Sequence, residues 1–145
     1  ITLAGVSGHR TVSVLYGTAA AGAFIATALS TQTMVAVDGA HPSVMDLPSI
    51  ARVTKLPLDV LTEKAKETPV FAPGVAPLAA TGAVSDVWKI SDGQCAERLA
   101  ALLADGEQDN ADRRDVLGAG RGGRKMAADV ARRVEVAFTT VSETR

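Results

Sequence analysis

Two glycines, Gly17 and Gly22, lie where an apolar, β-branched stretch of the chain gives way to a helix-forming one. A helix that starts at such a turn presents backbone N–H groups that have no intrahelical acceptor. These donors can hold an anion, or the oxygen of a thioester as it becomes an enolate, and glycine admits that group without a Cβ in the way. The pattern indicates acyl-group chemistry, with the N–H groups of Ala21, Gly22 and Ala23 as the predicted donors.

Two other interpretations of this turn exist. Small-residue turns between a strand and a helix are common in α/β proteins and often carry no function. A nucleotide-binding P-loop is disfavoured because the Lys-Ser/Thr pair that completes it is absent, and Ala23 and Phe24 stand in its place.

The elements that must position the turn follow from the pattern of apolar residues. Strands are predicted over residues 12–16 and 33–38, and a small-residue helix over 20–29 lies between them. This strand–helix–strand order predicts parallel pairing of the two strands. Residues 38–42 are predicted to form a turn.

Further along the chain, the pattern predicts five helices, one short strand and one loop. Helices are predicted over 49–55 and from Pro57 to the stop at Pro69, then over 96–103 and 124–136, with a short helix ending at Gly82. A short strand is predicted over 83–88. The Asp-, Arg- and Gly-rich stretch 105–123 is predicted to be a mobile loop.

Composition bounds the class of protein. The 145 residues are 47% hydrophobic with a formal net charge of −1, which predicts one globular domain and gives no global argument for nucleic acid. No run of 18 apolar residues predicts a membrane span. The lone Cys95 fits a reducing cytoplasm and is predicted to be a buried structural thiol. The chain starts at Ile1 without a signal pattern, so we expect part of a longer product that is not secreted.

A series of motifs in a fixed order resembles the gamma subunit of biotin-independent malonate decarboxylase. The motifs are Gly8-His9-Arg10, Tyr16-Gly17-Thr18-Ala19-Ala20-Ala21-Gly22-Ala23-Phe24, Ala36-Val37-Asp38, Ile50-Ala51-Arg52-Val53-Thr54-Lys55, Thr68-Pro69-Val70-Phe71-Ala72-Pro73-Gly74 and Gly82-Ala83-Val84. The resemblance covers nearly the whole chain but only the C-terminal part of the longer family members. It implies an α/β, crotonase-like (ClpP/crotonase) superhelix of ββα units, here partial, as one domain over residues 1–145 with a helical C-terminal extension over 93–145.

The resemblance also implies an activity. In the family, the gamma subunit acts with a beta subunit to decarboxylate a malonyl thioester to an acetyl thioester. The acyl group is carried on a phosphopantetheine-type, dephospho-CoA-derived prosthetic group of an acyl carrier protein, and no cofactor is expected to bind this chain directly. Two alternatives remain open: a subunit of an acyl-CoA carboxyltransferase that works with biotin, and a non-catalytic scaffold that completes the site of its partner.

Site residues are predicted around the turn. The N–H groups of residues 21–23 are expected to form an oxyanion hole, serving either the thioester oxygen or the departing carboxylate. The predicted substrate-binding residues are Gly17, Thr18, Met45, Asp46 and Arg52. For Asp46, the simpler role is that of a helix cap. For Arg52, the alternative role is a salt bridge at a subunit interface. Some family members carry His-Ala-Met-Gly where this chain reads Val44-Met45-Asp46-Leu47-Pro48, so no histidine role is carried over.

The remaining candidates have structural explanations of their own. His41 is expected to be an exposed turn residue, with a substrate-facing base as the alternative, and His9 is expected to be exposed as well. Trp88 and Phe71 are expected to be core or subunit-contact aromatics. No Cys/His cluster has metal-ligand spacing, so no metal is predicted.

The stretch 113–133 carries six Arg and one Lys against two Asp, a local charge of +5. Such a stretch is either a solvated helix face or a docking surface for an acidic carrier, with Arg121, Arg124 and Lys125 as the predicted contacts. Nucleic acid is a poorer match because no aromatic residue is interleaved with the charges.

Overall fold

The computed structural model describes residues 1–69, 72–104 and 112–143. After a short helix α1 (Thr2–Val6), the chain runs twice through the order strand, strand, helix. The first unit is β1 (Val12–Leu15), β2 (Thr18–Ala20) and α2 (Ala21–Ala26), and the second is β3 (Thr33–Val37), β4 (His41–Ser43) and α3 (Leu47–Thr54).

The rest of the described chain is mainly helical. Its elements are α4 (Leu58–Glu67), α5 (Val75–Ala80), β5 (Asp86–Trp88), α6 (Cys95–Ala104), α7 (Arg114–Gly120) and α8 (Ala127–Glu143). The predicted helices that correspond to α3, α4, α5, α6 and α8 are confirmed in type, with shifted ends. The predicted small-residue helix is shorter than expected, since α2 ends at Ala26 and a 3₁₀ turn over Ala28–Ser30 follows.

The larger sheet has the order β1–β3–β5 and all of its pairs are parallel. Val14 pairs with Val35. Four of the five residues of the central strand β3 are buried, as is usual for a strand covered on both faces. The predicted strands over 12–16 and 33–38 and their parallel pairing are therefore confirmed.

A second, smaller parallel sheet pairs β2 with β4, with Thr18 opposite His41 and Ala20 opposite Ser43. Positive φ angles at Gly17 (65°) and Gly39 (84°) let the chain turn from the first sheet into the second. The prediction of a helix directly after the glycine turn is wrong here. The predicted turn over 38–42 is confirmed at Asp38 and Gly39, whereas His41 and Pro42 belong to β4. Strands of three residues are too short to leave a periodic pattern.

The core lies between the larger sheet and the segments that pack against it. Its buried cluster consists of Leu15, Phe24, Met34, Ala36, Ala40, Ala83 and Val84. The partly buried residues Val75, Leu78 and Ala79 of α5 pack against this cluster. Helix α5 therefore packs close to the strands that lead into the small sheet.

The predicted mobile loop over 105–123 is wrong in its second half. Residues 105–111 lie outside the described residues, but 114–120 form α7 and a series of turns then leads into α8. Gly118 of α7 is buried. The Gly and Arg residues, which give this stretch a loop-like composition, pack the helix and the turns after it closely against the rest of the protein. In the described ranges, no helix combines the length and apolar character that a membrane crossing needs.

Candidate functional site

The predicted oxyanion donors lie at the junction between β2 and α2. Ala20 is extended, with φ −138° and ψ 155°, and the chain then reverses through Ala21 at φ 56° into the helix. The first N–H groups of a helix have no acceptor within it, so this junction leaves backbone donors for an acceptor from outside the helix. The structure thus places Ala21, Gly22 and Ala23 together at one exposed corner.

Gly22 has open space where a side chain would be. A Cβ built on this residue meets no atom within 4 Å, and its φ is not among the positive values. Neither close packing nor backbone conformation therefore requires glycine at this position. The open space leaves the backbone at Gly22 accessible to another group.

The positive φ belongs to Ala21 instead of to a glycine. A left-handed conformation costs an L-residue roughly 1–2 kcal/mol, so the surrounding fold must hold it in place. Sequence reasoning missed this feature, because alanine gives no signal for a left-handed turn.

The end of β4 lies beside this corner. Because Ala20 pairs with Ser43 in parallel, the residues that follow each strand emerge at the same edge of the small sheet. Met45 and Asp46 therefore lie on the same edge as Gly22, and both are exposed. The structure brings these predicted site residues together, and we call this region the β2/β4 edge.

Asp46 is the N-cap of α3, which confirms the simpler role considered for it. Its Oδ1 accepts a hydrogen bond from the Ser49 N–H at 2.7 Å. Hydrogen bonds from the Ser49 side chain and backbone lower the pKa of Asp46 below its ordinary value, and the charge of Arg52 adds to the effect. Asp46 is thus an ionised carboxylate that anchors the first turn of the helix.

The other three predicted substrate-binding residues lie farther along their elements, although the charge of Arg52 acts on Asp46. Arg52 is exposed in the last turn of α3, about 9 Å along the helix axis from Asp46. Thr18 begins β2, and Gly17 precedes it with its carbonyl accepting the His41 N–H at 2.7 Å. Their substrate-binding roles stay predictions.

The predicted carrier-docking residues lie elsewhere, at the turns between α7 and α8. The Arg121 guanidinium donates to the carbonyls of Ala79 and Val84 at 2.8 and 2.6 Å. Arg124 Nε donates to the Thr81 carbonyl at 2.6 Å, and Lys125 is exposed. Carrier docking stays a prediction, but two of its three residues already hold main-chain carbonyls of this chain.

The other candidates are placed as follows. Trp88 is buried, and its Nε1 donates to Asp86 Oδ2 at 2.9 Å, which confirms a core position. His41 is exposed but lies in β4, not in a turn, and His9 is exposed. Cys95 is half-buried, less than expected.

Two further predictions concern the aromatics and metals. Phe71 falls outside the described residues. Among the residues that the structure describes, no three His, Cys, Asp or Glu side chains are grouped so that they could hold a metal ion.

Comparison with solved structures shows that this chain has a mixed α/β fold similar to that of chains in malonate decarboxylase complexes. The chain is similar to a Pseudomonas malonate decarboxylase hetero-tetramer in complex with coenzyme A, with 23% identity and a TM-score of 0.71 over 94% of this chain and 55% of that one. It is also similar to the same type of hetero-tetramer with malonate (24%, TM-score 0.63) and to a Pseudomonas MdcD–MdcE hetero-dimer (22%, TM-score 0.61), covering 94% of this chain and 54% of each of those.

The family assignment rests on the sequence itself. The family model described as MdcE, malonate decarboxylase gamma subunit, matches residues 1–137, so this chain belongs to the malonate decarboxylase gamma subunit family. The chain spans about half the length of the solved chains it matches. The search of curated proteins returned no match.

Proposed function

We propose that this chain acts as the gamma subunit of a malonate decarboxylase, with the β2/β4 edge as its contribution to the active site. The observation that carries the proposal is the exposed corner at Ala21-Gly22-Ala23, where a helix begins without a side-chain cap and the Cβ position of Gly22 is open. Membership of the gamma subunit family supports the reaction class.

The proposed reaction is decarboxylation of a malonyl thioester. The C–C bond to the carboxylate breaks, CO₂ leaves, and the electron pair moves onto the thioester carbonyl to give an enolate. A proton then adds to the enolate carbon and yields the acetyl thioester. The N–H groups of Gly22 and Ala23 would stabilise the oxygen that gains charge, and one such donor typically contributes about 3–4 kcal/mol.

The fold proposed for this activity is a partial crotonase-like superhelix. Two successive strand–strand–helix units support it, because the first strands of the units pair in one parallel sheet and the second strands pair in another. The open space at Gly22 suits a thioester delivered on a phosphopantetheine-type arm, which supplies the acyl group in activated form. We propose no cofactor bound directly to this chain.

The proposed partners are a beta subunit and an acyl carrier protein. The solved MdcD–MdcE hetero-dimer, to which this chain is similar, supports a partner of the first kind. The carrier rests on the family resemblance and on the charge of +5 over residues 113–133. A cytoplasmic location is proposed from the single cysteine.

A scaffold without catalytic groups is the second candidate function. The observation in its favour is that Asp46, the ionisable side chain found at the β2/β4 edge, is engaged as a helix cap. In that case the partner would supply the stabilising groups, and this chain would complete the walls of the site.

The substitution Gly22→Val separates the two functions. A valine would obstruct the thioester while leaving the fold intact, so turnover with a beta-type partner should fall roughly 100-fold with little change in Tm. Release of CO₂ from malonyl thioester is measured with avidin present, because avidin-sensitive activity would indicate the biotin-dependent carboxyltransferase instead.

The matched control is Gly120→Val, since Gly120 is also a helical glycine with open space around its Cβ position. Full activity of Gly22→Val would favour the scaffold. Unfolding of Gly22→Val, with full activity of Gly22→Ala, would show that the glycine serves packing and would overturn the oxyanion proposal.

A further inference from the structure

Arg121 bridges both sides of the turn that joins α5 to β5. Its Nη1 donates to the carbonyls of Ala79 and Val84, and its Nη2 donates to the Ser85 carbonyl at 2.9 Å. One guanidinium therefore binds the end of α5 and the segment leading into β5. A planar side chain with donors fixed in a fork is suited to such a contact.

Arg124 and two glycines complete this contact. Arg124 Nε donates to the Thr81 carbonyl at 2.6 Å. A Cβ on Gly118 would lie 2.2 Å from the Thr81 carbonyl oxygen, and one on Gly123 would lie 2.1 Å from that of Ala80. The two backbones touch without intervening side chains, and we call these four residues, Gly118, Arg121, Gly123 and Arg124, the arginine clamp.

The clamp holds a helix that is connected to the β2/β4 edge. Helix α5 contacts β4, and at its N-terminus the Gly74 N–H donates to the Pro42 carbonyl at 2.9 Å. Pro42 is the central residue of β4, opposite Ala19 of β2. The clamp thus fixes one end of α5, and the other end is bonded to the strand that leads to Asp46.

We propose that Arg121 and Arg124 are positioning residues, which hold α5 against β4 and so fix the β2/β4 edge where the N–H groups of Gly22 and Ala23 lie. This inference rests on the proposed function for its catalytic consequence. Both side chains make internal contacts, and hydrogen bonds to four main-chain carbonyls are lost when they move away.

Hydrogen exchange tests the mechanical part without any activity. In Arg121→Met, the amides of His41, Ser43 and Gly74 should exchange about tenfold faster or more, because charge-assisted bonds that hold α5 are lost. Arg121→Lys keeps the charge but loses the forked arrangement of donors, so the exchange of the same amides should become faster, though by less than in Arg121→Met. The control is Arg133→Met, which removes an exposed charge from α8. Unchanged exchange at these amides in a folded Arg121 variant would overturn the proposal.

Turnover tests the catalytic part in the complex with a beta-type partner. Well below Tm, Arg121→Lys should lower kcat by about tenfold with KM little changed, since positioning acts on the donors and not on binding. An unchanged kcat in this folded variant would overturn the positioning role. If the wild type releases no CO₂, the proposed function fails, and the exchange measurement still decides whether the clamp holds the edge.

Discussion

Ala21 is one of two non-glycine residues with positive φ among the residues that the structure describes, the other being Lys55. Lys55 lies at the C-cap of α3, where a left-handed residue is ordinary. Ala21 instead lies between an extended strand residue and a helix, in the β2/β4 edge. Backbone strain of this kind is often found at functional sites. It is therefore a second reason, besides the start of the helix, to place a site at this corner.

The strain at Ala21 has a measurable consequence. Ala21→Gly should be neutral or stabilise the protein by up to about 1 kcal/mol, because relief of the left-handed conformation offsets the flexibility of glycine in the unfolded chain. The control Ala20→Gly, at an extended residue, should destabilise by about 0.5–1 kcal/mol. Denaturant unfolding of both variants measures the difference, and equal destabilisation would mean that Ala21 carries no strain.

At the scale of residues, the sequence predicted the accessible glycine but not the long-range contacts of the arginines. The open glycine could be predicted, because two glycines between a strand and a helix indicate close approach of another group. The partners of Arg121 could not, because its three carbonyl acceptors lie 36 to 42 residues away in the chain. A run of arginines indicates charge, and only the fold decides which of them are used internally.

At the scale of elements, the strands with β-branched residues were predicted and the small sheet was not. β1 and β3 show a recognisable pattern of β-branched residues in the sequence. β2 and β4 have three residues each, and they form strands because they pair with each other in the fold. This mattered for the site, because the pairing of β2 with β4 is what brings Asp46 beside Gly22. Helix α7 was missed for a related reason, since its two glycines disfavour a helix locally, while one of them, Gly118, is required by packing.

Helix α7 is also anchored at its start by a pair of charged residues. The Asp112 carboxylate accepts hydrogen bonds from the Arg114 backbone N–H at 3.0 Å and from its guanidinium, and Arg114 Nη1 donates to the Leu29 carbonyl at 2.8 Å. The hydrogen bonds from Arg114 lower the pKa of Asp112 from its ordinary value of 3.8 to about 2, against a smaller opposing effect of burial.

This depressed pKa predicts the acid behaviour of α7. A carboxylate with a lowered folded-state pKa contributes stability above its ordinary pKa, and this contribution is lost as the pH falls from about 4 towards 2. Asp112→Asn should therefore lower Tm at pH 7 modestly, since the pair is partly exposed, and flatten the Tm profile between pH 4 and 2. A variant profile parallel to that of the wild type down to pH 2 would contradict this anchoring.

At the scale of the whole molecule, several large apolar side chains on the helices are left exposed. Val130 and Val134, one helical turn apart on α8, are 48% and 64% exposed, and Leu3 and Val6 of α1 are more exposed still. Apolar residues that recur on one helix face are typical of a surface that packs against a partner. The spacing of apolar residues in the sequence indicates an apolar face on this helix, whereas only the fold shows that the face stays exposed.

We therefore expect the chain to be found in a hetero-oligomer or a homodimer. Val134→Lys should weaken that association at least tenfold, because burying one valine contributes about 1.5–3 kcal/mol and a lysine in its place must also be desolvated. The control Arg132→Ala lies on roughly the opposite side of α8, where it removes an exposed ion pair with Asp129 and should change little. Sedimentation velocity at micromolar concentration, alone and with a beta-type partner, gives the affinities. A chain that stays a monodisperse monomer in both conditions would show that the exposed face of α8 is not an interface.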